Sequence, residues 1–439
     1  MAAQQRTADS VSSKNRASIT DKNMIPFTAE STDVGGSRYT EPPLASHVIG
    51  YIAADGSGAS GIEKGLDSEI SGGGGYSPSL VDATGNTIPN FRAIDSYSKK
   101  STFIKLTLDY HIQKITESVL DEENIKGAAV VMDIDTFDVL AMTSRPDYNR
   151  GSISEYIISG DTELLNRAVA PYNAGSIFKI VTAAAALEEG LVKDEYFCAG
   201  ALKCDGIDFL CHKREGHGPL NFDGAFSASC NCAFYETGIA LGSDKICDYA
   251  FSFGMGSRLL DGVITENCGN VPRHLAHSQS EAANLSIGQG EIMITPLQAA
   301  KIVCTVANGG ISKHVNLVDS IVYADGSKIK NYRKKQEKRV ISRETADRIC
   351  DMMLTATEEG TGSNAMSETV KIAGKTGSAE TGWHTEDGYM VQGWFIGFFP
   401  YESPKYALAV MSENGRGGNA SCAPAFKKIA EKIVALKKS

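Results

Sequence analysis

Apolar residues recur along this chain with two different spacings, and each spacing predicts one kind of element. Residues 113–120 follow the three-to-four-residue repeat of an amphipathic helix. Two β-rich runs, 128–134 and 139–143, are joined by a short polar turn and predict a hairpin. By the same criteria we expect further helices at 176–190, 226–241, 298–307 and 423–437, and strands at 103–108, 370–373, 393–399 and 406–411.

The first hundred residues show a weaker pattern. One strand-like run covers residues 16–20, and from residue 46 short β-like pieces such as 47–51 alternate with glycine clusters such as 72–75. We therefore expect a small β-rich N-terminal module over residues 1–99 and a main domain over residues 100–439. In the main domain, a helix and a hairpin precede a block of helices, further strands and a last helix. That order predicts an α/β (α+β) fold with a largely antiparallel sheet flanked by helices.

Composition narrows the class of protein. The chain has 439 residues, 42% of them hydrophobic, which is enough for a sizeable core. Its formal net charge of -10 argues against nucleic acid as a partner and against a basic patch that holds it to a membrane. No apolar run approaches the roughly 18 residues of a membrane span, and the polar N-terminus lacks a signal peptide core. Either the protein is cytosolic, or an anchor lies outside this sequence.

The first chemical motif is Ser176 with Lys179, at the start of a predicted helix. Positions three residues apart share a helix face, and free backbone N–H groups at a helix N-terminus favour developing negative charge. The pair therefore has the arrangement of a serine nucleophile with an amine base. A capping serine followed by a solvated lysine is the alternative interpretation of this tetrapeptide.

Two later motifs strengthen the catalytic interpretation of Ser176 and Lys179. Ser229 and Asn231 flank Cys230 in the second predicted helix, and a predicted strand ends in the run Lys375, Thr376, Gly377 and Ser378. S-x-x-K, S-x-N and K-T-G in this order are the signature of penicillin-binding proteins and serine β-lactamases. Each motif alone has a structural interpretation, as polar helix residues or a charge at a strand end. Together they predict an acyl-transfer site.

With these motifs the chain resembles the transpeptidase domain of penicillin-binding proteins, more closely the monofunctional class B type that cross-links bacterial cell wall. Further matches cover about residues 100–439, at 106–109, 127–142, 144–147, 166–168, 286–290, 295–298 and 393–397. Residues 15–24, 47–50 and 61–66 resemble the N-terminal module of the family, which implies a much reduced pedestal. The resemblance also implies an extracytoplasmic protein held by an N-terminal membrane helix. We therefore expect this sequence to be a soluble part of a longer protein.

The resemblance implies a role for each motif residue. Ser176 attacks the carbonyl of the penultimate D-Ala of a D-Ala-D-Ala stem peptide, and Lys179 accepts its proton if burial and a neighbouring charge lower the amine's pKa. Ser229 passes a proton to the departing amine, while Asn231 orients Lys179 and the substrate.

The strand motif is assigned to substrate binding in the same way. Lys375 supplies positive charge near the substrate carboxylate, and Thr376, Gly377 and Ser378 line the site, with two hydroxyls facing that carboxylate. The backbone N–H groups of Ser176 and Ser378 form the oxyanion hole. The family more often has Thr at position 378, and Ser keeps the hydroxyl without the methyl group. No organic cofactor is expected.

Five of the ten cysteines lie close together in the sequence: Cys198, Cys204, Cys211, Cys230 and Cys232. Such clustering indicates a metal or a disulfide. Some elongation-type members of the family hold zinc here, and the resemblance assigns Cys198, Cys211, His217 and Cys230 as a closed structural set. The alternative is a disulfide from Cys204 to Cys198 or Cys211. The other cysteines are expected to be small buried hydrophobes: Cys232, Cys247, Cys268, Cys304, Cys350 and Cys422.

The resemblance thus implies a peptidoglycan D,D-transpeptidase that β-lactams inhibit as covalent ligands. Its partners are stem peptides and the cell-wall synthesis machinery, including a glycosyltransferase. Two alternatives share the nucleophile: a β-lactamase or D,D-carboxypeptidase, which passes the acyl group to water, and a β-lactam sensor domain. The N-terminal module argues against both.

Overall fold

The structure is a computed structural model that describes residues 16–29, 38–40, 42–71, 102–160, 162–385, 388–415 and 417–436. The predicted domain boundary at 99/100 and the glycine cluster 72–75 lie outside these residues, so the two-domain division stays a prediction. The helices are α1 Ser46–Ile49, α2 Gly61–Gly65, α3 Asp67–Ser71, α4 Tyr110–Glu122, α5 Ile153–Ser159, α6 Lys179–Glu188, α7 Phe222–Ser227, α8 Asn231–Leu241, α9 Ser243–Ser252, α10 Gln279–Ser286, α11 Pro296–Ala307, α12 Arg343–Glu358 and α13 Ala423–Leu436.

The strands are β1 Ser18–Thr20, β2 Thr102–Leu106, β3 Gly127–Asp133, β4 Val139–Arg145, β5 Tyr172–Asn173, β6 Tyr196–Cys198, β7 Ala201–Cys204, β8 Ile207–Leu210, β9 Gly218–Leu220, β10 Met293–Ile294, β11 Ile311–Lys313, β12 Val318–Tyr323, β13 Lys328–Asn331, β14 Glu337–Arg339, β15 Ala373–Thr385, β16 Gly388–Phe399 and β17 Tyr406–Gly415. None of the helices in the described residues is long and apolar enough to span a bilayer.

A five-stranded sheet in the order β15-β16-β17-β3-β4 organises the main domain, and every neighbouring pair in it is antiparallel. Side chains alternate between its two faces along β17: Ala407 and Ala409 enter one hydrophobic core, and Leu408 and Val410 the other. Helices α4 and α13 cover the second face, while α11 packs on β3 and β17 from the first. The predicted antiparallel sheet flanked by helices is confirmed.

The N-terminal residues join the main domain through a second sheet. Strand β1 pairs in parallel with β2 in a four-stranded sheet of order β1-β2-β12-β13. The β-like piece predicted at 47–51 is wrong, because Ser46–Ile49 forms the short helix α1. A short apolar run that is buried all round does not distinguish a helical turn from a strand. In the described residues before β2, one strand and three short helices replace the predicted β-rich module.

The predicted helix over residues 226–241 is confirmed for residues 231–241, but its first part is wrong because two helices occupy this stretch. Helix α7 ends at Ser227 and α8 begins at Asn231. Between them Ser229 has φ 54, and the Cys230 N–H donates to the carbonyl of Ala225 (2.8 Å), as in a Schellman turn. Apolar periodicity continues through this break because α8 is buried on nearly all sides.

Two boundaries differ as well. The region 191–223, which lies outside the predicted helices and strands, contains the antiparallel pairs β6–β9 and β7–β8. The strand predicted at 370–373 begins only at Ala373 and continues through the K-T-G motif, which therefore lies inside β15 rather than at a strand end. Both differences place chemical residues on regular hydrogen-bonded structure.

Candidate active site

The turn that carries Ser176 is clamped between a strand and a loop. Residues Gly175–Phe178 form one 3-10 turn that continues into α6. The Gly175 N–H donates to the carbonyl of Gly288 (3.0 Å), and a Cβ on Gly288 would lie 2.3 Å from the Gly175 carbonyl oxygen. On the other side, a Cβ on Gly175 would lie 2.8 Å from the carbonyl oxygen of Ser378. Glycine at both positions lets the two backbones approach and holds Ser176 beside β15.

Lys179 lies one turn after Ser176 and is completely buried. Its Nζ donates to the Ser229 carbonyl (2.7 Å) and to Asn231 Oδ1 (2.7 Å), and it is 3.3 Å from Ser229 Oγ. Burial lowers the pKa of Lys179 to about 7, although the nearby thiols of the cysteine cluster act in the opposite direction. No carboxylate is among these partners, so the neutral amine is accessible near neutral pH.

Lys375 reaches the same serine from the opposite side. Its buried Nζ donates to Ser229 Oγ (2.8 Å) and to the carbonyl of Thr376 (3.1 Å). Burial and, second, the charge of Lys179 hold the pKa of Lys375 well below its ordinary value. Ser229 Oγ therefore lies between two amines, an arrangement suited to proton transfer.

The break between α7 and α8 positions Ser229 and Asn231. The left-handed backbone at Ser229 places Cys230 at the N-cap of α8 and Asn231 in its first turn. Asn231 Oδ1 accepts from Lys179, and its Nδ2 donates to the carbonyl of Leu210 (3.3 Å). The β7–β8 hairpin, which ends at Leu210, thus fixes the side-chain amide of Asn231.

Strand β15 forms the remaining wall. It lies at the edge of the five-stranded sheet, where backbone groups can pair with an extended ligand. Thr376 Oγ1 shares a hydrogen bond with Thr361 Oγ1 (2.7 Å), and Ser378 Oγ accepts from the N–H of Gly418 (3.2 Å). A Cβ on Gly377 would lie 2.9 Å from the side chain of Ile177, so this glycine lets the strand pack on the nucleophile turn.

Sequence reasoning missed three contributors to this site: Leu210, Thr361 and Gly418. Each acts through a hydrogen bond to a motif residue, Leu210 and Gly418 through the main chain alone. Residue type carries little information about such a contact. Among the motif residues, Lys179 contacts Ser229 and Asn231, and Lys375 contacts Ser229. Ser176 lies on the turn before Lys179, and Thr376 to Ser378 lie along β15.

The predicted cysteine and histidine set also converges. The ligand atoms of Cys198, Cys211, His217 and Cys230 all lie within 4.8 Å of one another. Cys211 Sγ is 3.6 Å from His217 Nδ1, and the three cysteines are buried. Burial lowers the pKa of His217, which favours the neutral imidazole that metals bind. The donor set therefore fits a closed tetrahedral metal site next to the S-x-N motif.

The remaining cysteines divide by burial. Cys232, Cys247, Cys304 and Cys422 are buried as expected, whereas Cys268 and Cys350 are only partly buried. Interaction with the thiols of Cys211 and Cys230 raises the pKa of Cys232, and interaction with Cys230 and Cys232 lowers that of Cys211. Cys204 lies away from the set, with its Sγ 3.7 Å from Gln279 Oε1. All ten cysteines are free thiols, so neither predicted disulfide of Cys204 is formed.

Comparison with known proteins identifies the class. The family model for the penicillin binding protein transpeptidase domain matches residues 127–431, and the chain belongs to this family. This confirms the family inferred from the three motifs.

Particular relatives agree over most of the chain. Stage V sporulation protein D of Bacillus subtilis is 33% identical over 394 residues, which are 85% of this chain and 59% of that protein. The D,D-transpeptidase domain of a peptidoglycan glycosyltransferase from Eggerthella lenta has a TM-score of 0.81 at 26% identity, over 97% of this chain and 99% of that one. Penicillin-binding protein A from M. tuberculosis, as an imipenem acyl-enzyme, has a TM-score of 0.80 at 25% identity, over 96% and 99%. The chain spans 59% to 66% of the length of the first curated relatives it matches.

Proposed function

We propose that this chain is a D,D-transpeptidase unit that cross-links peptidoglycan stem peptides through an acyl-enzyme on Ser176. The observation that carries the proposal is the position of Ser229 Oγ between the buried amines of Lys375 and of Lys179, the residue that directly follows the turn with Ser176. Lysines buried without carboxylates cost folding free energy, and lysines with lowered pKa values are expected where proton transfer is needed.

The chemistry follows from these positions. The neutral Lys179 amine accepts the proton of Ser176 Oγ as that oxygen attacks the carbonyl carbon of the penultimate D-Ala. The tetrahedral oxyanion is stabilised by the N–H groups of Ser176 and Ser378, and its collapse breaks the peptide bond. Ser229 delivers a proton to the departing D-Ala amine and recovers one from the two lysines around it.

Cross-linking is the second half of the reaction. The acceptor amine of another stem peptide loses its proton through the same groups and attacks the Ser176 ester. The new amide forms, and Ser176 Oγ leaves as a hydroxyl after regaining a proton from Lys179. Thr376, Gly377 and Ser378 hold the donor peptide along the open edge of β15, with the hydroxyls toward its carboxylate. The ammonium of Lys375 donates to Ser229 Oγ. Its positive charge therefore attracts the substrate carboxylate across that hydroxyl group.

We also propose one structural zinc ion on Cys198, Cys211, His217 and Cys230. Bound there, zinc contributes folding free energy and no step of acyl transfer. Cys230 adjoins Ser229 and caps α8, so the metal would brace the β6–β9 region against the S-x-N motif. The convergence of four donor atoms from separate segments supports the site.

The compartment and partners follow from the same proposal. Peptidoglycan lies outside the cytoplasmic membrane, so we place this unit there, held at the membrane by an anchor. A glycosyltransferase partner is supported by the solved neighbour described as part of a peptidoglycan glycosyltransferase. The similarity to stage V sporulation protein D suggests a role in sporulation. The candidate zinc ligands suggest an elongation-type role instead.

The test is acylation by a fluorescent penicillin, followed by release of the label. A stable adduct on Ser176, absent from Ser176→Ala, is expected, and a D-Ala-D-Ala donor with a fluorescent amine acceptor should give amide product. Rapid loss of label to water would instead indicate a β-lactamase or carboxypeptidase, and a stable adduct without amide product a sensor. An adduct on Ser229 would refute the assignment.

A further inference from the structure

A cavity of about 650 Å³ lies apart from the active site, between the end of α9, helix α11 and strands β11 and β14. None of its lining residues belongs to the active site or to the cysteine cluster. Its wall is rich in cationic side chains, with Arg258, Lys301, Lys313 and Lys338, and also contains His314 and the acidic Asp261 and Glu337. A cavity of this size suits a ligand larger than a simple ion.

Lys301, on α11, is the unusual member of this wall. Burial lowers its pKa, yet its ammonium forms no hydrogen bond or ion pair with any residue in the described part of the chain. The Nζ instead lies against Gly254, where a Cβ would be only 2.7 Å away. Gly254 has φ +96, so glycine both permits this backbone and leaves room for the amine. A half-buried amine without an anionic partner is costly, which indicates that a ligand supplies the anion.

The acids at the cavity do not fill that role. Asp261 Oδ2 is 2.8 Å from both His314 Nε2 and Lys334 Nζ, so its charge is already compensated. Glu337 is exposed on β14 and makes no ion pair within the described ranges. Arg258 and Lys338 form no ion pair in the described ranges either, although the charge of Arg258 acts on the buried carboxylate of Glu266. The cavity therefore carries a surplus of positive charge.

The surrounding surface has the same sign. Residues 328–339 contain seven lysines and arginines and one glutamate, although the whole chain has a net charge of -10. Four of these cations are paired with acids of the fold, namely Lys328, Lys330, Arg333 and Lys334. Lys338 reaches the cavity, so the basic segment borders its mouth. Such local charge concentrates anions despite the opposite net charge.

We propose that this cavity binds a phosphate-bearing anion, with Lys301 at its floor and Arg258 and Lys338 at its rim. Lysine and arginine together suit phosphate oxygens, and the hydroxyls of Ser252, Ser257 and Ser312 in the lining add neutral donors. The phosphate group can belong to a free phosphorylated compound or to a lipid headgroup, because the same side chains recognise both.

Calorimetric titration with inorganic pyrophosphate, at constant ionic strength set with sodium chloride, measures the first source. Saturable binding is expected, and Lys301→Met should weaken it about tenfold or more, since it removes one charged donor. Lys427→Met, which removes a lysine of α13 outside the cavity, is the matched control and should bind as the parent chain does. Because removal of an unpaired amine can raise the melting temperature, the readout is affinity rather than stability.

Flotation with phosphatidylglycerol vesicles, against phosphatidylcholine vesicles, measures the second source. Vesicle binding that Lys301→Met abolishes, without pyrophosphate binding, assigns a lipid phosphate. Pyrophosphate binding alone assigns a free compound. Equal affinity of the Lys301→Met and Lys427→Met proteins, or no binding in either arm, overturns the proposal. If Lys301→Met does not fold, Arg258→Gln replaces it, and unchanged binding by that variant has the same meaning.

Discussion

The pH dependence of acylation tests the buried amine at the centre of the site. The pKa of Lys179 falls from 10.5 to about 7 because the side chain is removed from water. Only the neutral amine can accept the Ser176 proton, so the acylation rate should follow the fraction of neutral Lys179. The rate should be constant above about pH 8, fall about tenfold per pH unit below pH 7, and be about a hundredfold lower at pH 5.

The same shift predicts a slope in stability. Between pH 7 and 10.5 the unfolded chain binds a proton at Lys179 that the folded chain has released, so the free energy of unfolding rises with pH in this window. Below pH 7 the folded protein carries the full cost of the buried charge. That cost is about 5 kcal/mol, at about 1.4 kcal/mol for each pH unit of the shift. Lys179→Met removes one of the two buried titrating amines and should make this part of the stability curve shallower, and the slope that remains belongs to Lys375.

The assay is the second-order rate of labelling by a fluorescent penicillin from pH 5 to 9, with near-ultraviolet circular dichroism at each pH to verify folding. Lys371→Met is the matched control, because Lys371 is exposed and its ion pair with Glu402 is long, at 3.6 Å. It should keep the parent pH profile. A rate that stays constant from pH 5 to 8 in folded protein would refute the role of Lys179 as the proton acceptor.

Three further changes test other parts of the structure. Lys375→Met keeps the volume but removes the donor to Ser229 Oγ, so acylation should slow by about a hundredfold while the melting temperature stays or rises; an unchanged labelling rate would exclude Lys375 from the reaction. If zinc braces the S-x-N motif, His217→Ala or a strong chelator should lower both the melting temperature and the acylation rate. Elemental analysis measures the zinc directly, and a response to reductant alone would indicate a disulfide. Glu63→Gln removes the buried carboxylate that Arg16 (2.8 Å) and Arg38 (2.6 Å) share and should cost about 3–5 kcal/mol in urea unfolding. Its control is Glu431→Gln, at a part-buried hydrogen bond to Ser367, which should cost below about 1 kcal/mol.

Residue type and spacing were enough to select the candidate catalytic residues. The proposed nucleophile, both lysines and Ser229 with Asn231 follow from three motifs in one order, and the resemblance to the family adds the four candidate metal donors. The amphipathic helix α4, the β3–β4 hairpin and α11 also follow from the local alternation of apolar and polar residues. These features depend on neighbours within one or two turns.

The tertiary structure decided how these candidate residues are arranged and which of them have shifted pKa values. Ser229 lies 50 residues from Lys179 and 146 residues from Lys375, and its place between the two amines depends on the break after α7, which periodicity does not reveal. The lysine pKa values are lowered because distant segments bury the two amines. The fold likewise brings Cys232 close to Cys211, one of the candidate metal donors. The dielectric environment and direction of a side chain are set by what packs around it, and those partners are brought close only by the fold.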